Sequence, residues 1–262
     1  MAQFGNKMLP FGGVNTYLLD TYGGAAVAYS LRKLSASTTN VVRVRRSSDN
    51  AEQDFTAAQV TDGTLTAFCG AGDGFVSIWY DQSGLGNNLT QTSAANQPQI
   101  VSLGSLILKN SKPAIFYADI QALETNTPTF SEPSNFFCVN SIDEPVSART
   151  NRFVSTKIGL PAYLGKIASS DTIIAFNGTV LDTLTIPSTN QIIYSFLCNT
   201  TTSNVYMDNV LKASGISGSR DFTGFSIVIN GGTSQELIAY QTNQDANRSG
   251  ITTEINNYYN TY

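Results

Sequence analysis

The longest run of strand-forming residues in the first half of the chain spans Phe75 to Tyr80. Almost all of these residues are β-branched or aromatic, which favours a pleated strand over a helix. Because side chains alternate along a strand, Phe75, Ser77 and Trp79 should lie on one face of it. Val76, Ile78 and Tyr80 should lie on the other face, so both faces are largely apolar. The glycine- and asparagine-rich residues 81–88 then predict a tight turn, of the kind found at the rim of a β-sandwich.

Similar short apolar or alternating runs, bounded by turn residues, recur along most of the chain and predict an all-β sandwich. In one of the first, Val42 and Val44 face one way and two arginines face the other, which indicates a half-buried strand. The predicted strands are Ala26–Leu34, Asn40–Arg46, Gln99–Val101, Leu106–Leu108, Ala114–Tyr117, Phe136–Asn140, Arg152–Thr156, Tyr163–Ala168, Thr172–Phe176, Val180–Ile186, Gln191–Asn199, Asn204–Met207, Val210–Ala213, Phe225–Ile229 and Glu236–Tyr240. Asn177-Gly178 and Asp208-Asn209 predict hairpin turns, and Thr64–Cys69 one helical turn.

The chain ends in its one credible longer helix, predicted from Asp245 to Tyr259. Asp245 is a candidate N-terminal cap. Apolar residues at helical spacing form one stripe that we expect to lie on the sandwich. The stripe consists of Ile251, Ile255, Tyr258 and Tyr262.

Residues 1–15 are rich in glycine and show no periodicity, so they predict an extended arm in front of a sandwich domain at residues 16–262. Two interpretations of the arm remain open: a frayed terminus, or a segment that docks Phe4, Leu9 and Phe11 on a partner subunit. The N-terminus lacks the pattern of a signal peptide, so we expect a protein made in a cytoplasm.

Composition narrows the classes of function. Hydrophobic residues make up 41% and charged residues 13% of the chain, and the net charge is −4. The usual charged share is about 25%, so the polar surface consists mostly of Ser, Thr, Asn and Gln. Without a basic cluster we expect no nucleic acid partner, and without a long apolar run no membrane insertion. The absence of histidine excludes Ser-His-Asp and Cys-His catalysis, whereas glycoside hydrolysis needs only two carboxylates.

Two groups of reactive or charged residues have a structural interpretation. The widely spaced Cys69, Cys138 and Cys198 are predicted to be buried free thiols. Three arginines beside three acids are predicted to form a solvated ion-pair cluster rather than a site. The members of this cluster are Arg43, Arg45, Arg46, Asp49, Glu52 and Asp54.

The turn after the Phe75–Tyr80 strand contains the best candidate ligand site. An aromatic face can stack on a pyranose, and carboxylate and amide groups can bind its hydroxyls. The candidate carbohydrate-binding residues are Trp79, Asp81, Gln82, Asn87 and Asn88. In the alternative, structural interpretation, Trp79 lies in the core and Asp81 binds backbone amides of its own turn.

No catalytic residue, metal ligand or cofactor site follows from the sequence. Two rim carboxylates could hydrolyse glycosides if they lay about 5–9 Å apart, but no two of the candidates share a motif. These candidates are Asp73, Asp81, Asp171, Asp182, Asp208 and Glu236. The chain has no calcium-loop spacing either.

Several segments together resemble a known family. They are Ala28–Leu34 (AYSLRKL), Val42–Asp54 (VRVRRSSDNAEQD), Trp79–Gln91 (WYDQSGLGNNLTQ) and Ala94–Pro98 (AANQP). They look like the concanavalin A-like (laminin-G-like) β-sandwich related to the catalytic domain of family 54 α-L-arabinofuranosidases. The resemblance is dense over residues 17–101 and looser over residues 191–262. It implies a jelly-roll β-sandwich with an N-terminal extended arm and a short C-terminal helix.

The resemblance also implies an acid/base aspartate after a Gly-Gly pair, a nucleophilic glutamate and an adjacent Cys-Cys pair at the sugar site. Here Gly231-Gly232 is followed by Thr233, and the glutamate and the cysteine pair have no counterpart. Because loss of the proton donor costs orders of magnitude in rate, we expect no hydrolytic activity.

This version of the sandwich also resembles domains on virion proteins of tailed bacteriophages, in head-fibre, decoration and tail-fibre roles. The resemblance implies a structural virion protein, located in the virion, that binds other virion proteins through its arm. It also implies a homotrimer, with host surface glycans as candidate ligands. The alternatives are an arabinofuranosidase-like glycoside hydrolase and a free-standing carbohydrate-binding lectin.

Overall fold

The computed structural model describes residues 17–118, 120–143, 151–158, 162–166, 172–176, 178, 180–185, 191–215, 218 and 221–262. The predicted arm at residues 1–15 and the candidate Asp171 lie outside the described residues, as does the side chain of Asp182.

Strands make up nearly half of the described chain, far more than helices do, which confirms the predicted all-β class. The strands are β1 (Val27–Ser30), β2 (Val42–Arg46), β3 (Glu52–Phe55), β4 (Gly74–Trp79), β5 (Leu89–Thr90), β6 (Gln99–Ser102), β7 (Ser105–Leu106), β8 (Leu108–Lys109), β9 (Lys112–Pro113), β10 (Ile115–Tyr117), β11 (Leu123–Phe130), β12 (Ser134–Ile142), β13 (Asn151–Ile158), β14 (Tyr163–Lys166), β15 (Thr172–Phe176), β16 (Val180–Thr185), β17 (Ile192–Cys198), β18 (Ser203–Met207), β19 (Val210–Gly215), β20 (Phe222–Val228) and β21 (Gly232–Tyr240). The helices are α1 (Leu18–Thr21), α2 (Ala57–Thr61), α3 (Thr64–Cys69) and α4 (Asp245–Tyr259), with a 3₁₀ turn at Ala94–Asn96.

The strands form two antiparallel layers. The first runs from β1 and β10, both paired with β21, through β12, β17 and β18 to β19. The second runs from β3 through β2, β4, β5, β11, β20, β13, β14 and β15 to β16. One pair of residues, Phe116 in β10 and Gln99 in β6, links the layers along one side. The result is a β-sandwich, as predicted.

The main core lies between the layers and is built from the inward-facing residues of both. Its aromatic centre packs Phe136 against Phe222 and Phe225, with ring centroids 4.6 and 6.0 Å apart. Burial of such large rings supplies much of the apolar area that stabilises a sandwich. All three cysteines are buried and free, which confirms the prediction for them.

Helix α4 covers the outer face of the first layer, where Phe137, Ile238 and Tyr240 form a second, smaller core with it. The predicted range of the helix is confirmed. Its predicted stripe is partly wrong, because Tyr259 is buried at the sheet whereas Tyr262 is 51% exposed and Tyr258 is half-buried.

The predicted capping role of Asp245 at the start of α4 is also wrong. Gln244 occupies the N-cap position and makes no capping hydrogen bond with its side chain. Asp245 is the first helical residue instead. There its negative charge interacts favourably with the positive N-terminal end of the helix dipole.

A bulge in β4 changes the predicted alternation. In the ladder with β2, Ile78 lies opposite Arg43 and Val76 opposite Val44, so Ser77 is the extra residue. Val76 and Trp79 therefore both point into the main core. The prediction that Trp79 shares a face with Phe75 is wrong, since Phe75 lies outside, 4.9 Å from the guanidinium of Arg45.

Strands β3 and β11 are among those that escaped prediction. β3 is acidic and half-exposed, and its Asp54 pairs with Arg43 across the ladder. β11 contains Pro128, which argues against a strand interior, and its register with β20 shifts between Thr125 and Thr129 to accommodate the irregularity. The short helices α1 and α2 were not predicted either, although Thr56 and Gln59 form a capping box at the start of α2.

Several local predictions are confirmed. Helix α3 spans the predicted residues, and Asp208 and Asn209 have positive φ in the β18–β19 hairpin. The ion-pair cluster is present as Arg43–Asp54 and Arg46–Asp49 pairs. Arg45, by contrast, donates to amides, including Oε1 of Gln97 at 2.7 Å.

Candidate functional site

The turn after β4 is held by Asp81, whose carboxylate accepts four hydrogen bonds. Its Oδ1 accepts from the backbone N–H groups of Ala28 and Ser83, both at 2.9 Å. Its Oδ2 accepts from the hydroxyl of Ser83 at 2.7 Å and from the N–H of Asn87 at 3.0 Å. Gly84 and Gly86 supply the positive φ that closes the turn. Asp81 therefore serves its own turn and strand β1, as the structural interpretation predicts.

Gln82 fills the gap between β1 and the loop that follows it, and it is 5% exposed. Its Nε2 donates to the carbonyls of Ser30 and Arg32 at 2.8 and 3.0 Å. Its Oε1 accepts from the N–H of Leu34 at 2.8 Å and from the hydroxyl of Thr38 at 3.1 Å. This one side chain thus fixes the position of the loop opposite the turn.

The two asparagines of the turn also bind protein groups. Oδ1 of Asn88 accepts from the N–H of Asp81 at 2.9 Å, and Nδ2 of Asn87 donates to the carbonyl of Ala26 at 3.2 Å. Oδ1 of Asn87 accepts from the hydroxyl of Thr127 at 2.9 Å. The candidate carbohydrate-binding residues are therefore brought together, but largely by hydrogen bonds to one another and to β1.

Trp79 does not offer a stacking face in this structure. Its side chain is 0% exposed and packs beside Tyr29, with ring centroids 5.9 Å apart. The β4 bulge is the cause, because it turns Trp79 inward and leaves the next residue, Tyr80, outward.

Tyr80 lines a groove of about 250 Å³ that the sequence did not reveal as a site. The groove lies between the Ser37–Asn40 loop and the turn after β4, and we call it the Tyr80 groove. Its lining residues are Ser37, Thr38, Thr39, Asn40, Tyr80, Asp81, Gln82 and Gly84. Only Asp81 and Gln82 of the predicted site residues border it. The outward position of Tyr80 depends on the Ser77 bulge, which no sequence pattern marks.

The phenol of Tyr80 is fixed by a charged pair behind it. Its hydroxyl donates to Oδ1 of Asp54 at 2.7 Å, and Arg43 binds both carboxylate oxygens of Asp54 at 2.6 and 2.9 Å. Burial and the hydrogen bond to Asp54 raise the pKa of Tyr80 to about 12. Arg43 lowers the pKa of Asp54. The tyrosine is therefore neutral and held in place over the physiological pH range.

The Gly231-Gly232 turn is the second region of interest, since the resemblance places a proton donor directly after it. Thr233 stands there, 2% exposed, with its Oγ1 2.7 Å from the hydroxyl of Ser141. That hydroxyl also donates to Oδ1 of Asp143 at 2.9 Å, and Lys109 forms an ion pair with the same carboxylate. A cavity of about 300 Å³, bordered by Lys109 and Gln191, adjoins this group.

Two other candidate carboxylates, those of Asp73 and Asp208, also accept hydrogen bonds from protein groups. Oδ1 of Asp73 accepts from the N–H of Leu103 at 2.8 Å. Oδ1 of Asp208 accepts from the N–H of Ile193 at 3.0 Å and the hydroxyl of Thr261 at 3.1 Å, while burial raises the pKa of this aspartate.

Glu236 is fully buried beneath α4 and is neutralised by a cation. Nε and Nη2 of Arg32 donate to its two oxygens at 2.8 and 3.0 Å. The hydroxyl of Ser30 donates to Oε2 at 2.8 Å, and the hydroxyl of Tyr259 lies 3.2 Å from the same oxygen. This network connects β1, β21 and α4, so its role is to hold the helix on the sheet.

Within the described ranges, no three His, Cys, Asp or Glu side chains are grouped so as to hold a metal ion. In the same ranges, the longest apolar helical stretch falls short of what crossing a bilayer requires.

No protein-family model and no curated protein matches this sequence. Among solved structures, it is similar to a GH54 α-L-arabinofuranosidase soaked with a cyclic sulfate inhibitor, with TM-score 0.70 and 16% identity over 91% of this chain and 64% of that chain. An arabinofuranosidase complexed with arabinofuranosyl-α-1,2-xylobiose gives TM-score 0.69 and 17% identity over 88% and 62% of the two chains.

A glutamate-to-glutamine mutant of a GH54 α-L-arabinofuranosidase, soaked with 4-nitrophenyl α-L-arabinofuranoside, gives TM-score 0.71 and 16% identity over 91% and 64%. The chain thus spans less than two thirds of the length of these proteins. At such low identity the likeness concerns the fold alone. The β-sandwich of these arabinofuranosidase structures is therefore the fold of this chain.

Proposed function

We propose that this chain is a structural, non-hydrolytic subunit of a tailed-bacteriophage virion, of the head-fibre or decoration type. In this proposal the N-terminal arm binds other virion proteins, the sandwich is displayed outward as part of a homotrimer, and its surface contacts host glycans. The observation that carries the non-hydrolytic part is the placement of Thr233 after the Gly231-Gly232 turn.

Glycoside hydrolysis requires one carboxylic acid that protonates the leaving oxygen and a second carboxylate that acts as nucleophile or base. The hydroxyl of Thr233 cannot replace the acid, because it is far too weak a proton donor at neutral pH. It is also buried against Ser141. Asp143, which accepts a hydrogen bond from Ser141, is paired with Lys109. These contacts support a scaffold that has kept the fold without the proton donor.

The virion part of the proposal rests on the resemblance of the sequence and on its surface chemistry. Charged residues make up only 13% of the chain. Contacts made by neutral polar groups vary little with salt, since there is little charge to screen. Such a surface suits a subunit that must stay attached to a particle in media of different ionic strength. Phe4, Leu9 and Phe11 give the arm apolar groups that could be buried on a partner.

The direct test is mass spectrometry of purified particles, followed by reconstitution with variants. We expect the chain among the particle proteins, and we expect Phe4→Ala/Leu9→Ala/Phe11→Ala to abolish attachment while leaving the domain folded. The matched control, Gln3→Ala/Asn6→Ala, should attach normally. Absence of the chain from particles, or full attachment of the apolar triple variant, would contradict the proposal. Sedimentation equilibrium of the full chain tests the trimer.

A glycoside hydrolase is the second candidate, favoured by the position of Asp143 next to the Thr233–Ser141 pair. Release of 4-nitrophenol from 4-nitrophenyl α-L-arabinofuranoside separates the two candidates. The structural proposal expects no release above background. Release that Asp143→Asn reduces by orders of magnitude, and that the exposed control Asp62→Asn leaves unchanged, would favour the hydrolase. Glycan binding by a chain that never joins particles would favour the free lectin.

A further inference from the structure

We infer that the Tyr80 groove binds a neutral sugar, with the ring of Tyr80 as the stacking surface and the Thr39–Asn40 segment as the polar wall. The inference rests on the glycan-binding part of the proposed function and assigns that binding to the Tyr80 groove. It also replaces Trp79, the aromatic residue that the sequence suggested, with its neighbour.

Sugar recognition needs an aromatic face that is both accessible and held still, since ordering a mobile side chain reduces affinity. Trp79 is held still but is 0% exposed. Tyr80 lies half-buried at the groove, and the Asp54–Arg43 pair fixes its hydroxyl from behind. Its hydroxyl is thus occupied by the protein while the ring remains available.

Asn40 is half-buried and Thr39 is exposed, and neither side chain makes a hydrogen bond to another described residue. An amide offers two donors and an acceptor, and a hydroxyl offers one donor, which together match the vicinal hydroxyls of a sugar. The loop that carries them is fixed by Gln82, through Leu34 and Thr38.

Of the residues that line the Tyr80 groove, Asp81 alone is charged. Its carboxylate faces four donors of the turn and of β1 rather than a cation. With a net negative group and no basic side chain in the lining, the groove disfavours sialic and uronic acids. Neutral sugars are the ligands that remain.

The volume of about 250 Å³ lies just below the usual range for ligand pockets, about 300–1,000 Å³. Gly84, with φ +88, has no atom within 4 Å of the place where a Cβ would stand, so the turn leaves one end of the groove open. This geometry suits the terminal unit of a glycan whose remaining units extend into solvent.

The test is a glycan array probed with the full chain, with neutral and acidic glycans side by side, followed by calorimetric titration of the hits. Two variants remove the proposed contacts: Tyr80→Leu removes the ring, and Asn40→Ala removes the free amide. One control accompanies them: Thr201→Ala changes an exposed residue between β17 and β18, away from the groove lining.

We expect binding of neutral glycans only. Tyr80→Leu should weaken it by about tenfold or more, and Asn40→Ala by roughly three- to tenfold. The Thr201→Ala control should bind within about threefold of the unmodified chain. If Tyr80→Leu does not fold, Asn40→Ala decides, because that residue lies at the surface of a loop.

An array without neutral hits, a preference for acidic glycans, or affinities that Asn40→Ala leaves unchanged would overturn the inference. The virion proposal fails separately, on the particle test. If the arm variant loses attachment to particles but the array shows no glycan binding, only the inference about the groove is rejected. Glycan binding by a chain absent from particles rejects only the virion role.

Discussion

Two carboxylates in this molecule are matched by opposite means. Glu236, beneath α4, is 0% exposed and is matched by the full charge of Arg32. Asp81, at the rim, is matched only by the N–H and O–H dipoles of its surroundings. When either partner of a buried ion pair is replaced by a neutral residue, the other partner remains as a buried charge without a counter-charge. A charge matched by dipoles leaves only unpaired hydrogen-bonding groups.

The largest effect is therefore expected for Glu236→Gln. Arg32 would stay buried without a counter-charge, and we expect the free energy of unfolding to fall by about 3–5 kcal/mol. Urea unfolding followed by the fluorescence of Trp79, the single tryptophan, measures the change.

Two further variants sharpen this result. Glu254→Gln removes the distant acid of the same network, 3.7 Å from Arg32 and 38% exposed, and should cost less than about 1 kcal/mol. Arg32→Met/Glu236→Leu removes both charges and should recover most of the lost stability. If the double variant is as unstable as Glu236→Gln, an unpaired charge is not the cause.

Asp81→Asn should have an intermediate effect. The amide cannot accept on both sides, so the N–H of Asn87 or of Ala28 loses its acceptor, and the free energy of unfolding should fall by about 1–3 kcal/mol. Asp62→Asn is the control, since exposed Asp62 accepts only from Thr64, and it should stay within about 0.5 kcal/mol. Equal losses in both variants would contradict a special role for Asp81.

The smallest effect concerns pH at Tyr80. Its pKa is raised to about 12 in the folded chain by burial and by Asp54, against about 10 when unfolded. The contribution of Tyr80 to stability is therefore complete below pH about 10 and is lost as the pH rises through about 12. Urea unfolding at several pH values from 9 to 12 should show a shallower decline for Tyr80→Phe than for the unmodified chain. Identical slopes would show that Tyr80 is not held as described.

Patterns along the chain predicted the elements that obey local rules. Val42 and Arg43 alternate as expected because β2 pairs regularly with β3. The faces of β4 could not be predicted, because the bulge at Ser77 arises from pairing with β2 and changes every position after it. β11 was missed because Pro128 normally marks an edge or an end, whereas here the ladder with β20 resumes beyond it.

The candidate site likewise combines local contacts, which the sequence predicts, with contacts between distant residues, which it does not. The bonds of Asp81 within its own turn are local, so one of the two interpretations from the sequence described them. Arg32 and Glu236 are 204 residues apart, and nothing in the sequence joins them. Tyr80, Asn40 and Thr39 come together only because β4 and the loop after β1 meet at one rim. Sequence spacing cannot reveal such a meeting.

The hydrogen bonds of Gln82 affect how fast and how selectively the rim can bind another molecule. Its four bonds reach the end of β1 and the loop beyond it, so the shape of this surface is set before any molecule arrives. A preorganised surface loses little conformational entropy on association and need not wait for a rearrangement. In the trimer that we propose, several such surfaces would engage repeated glycans at once, so even weak individual contacts would suffice for capture.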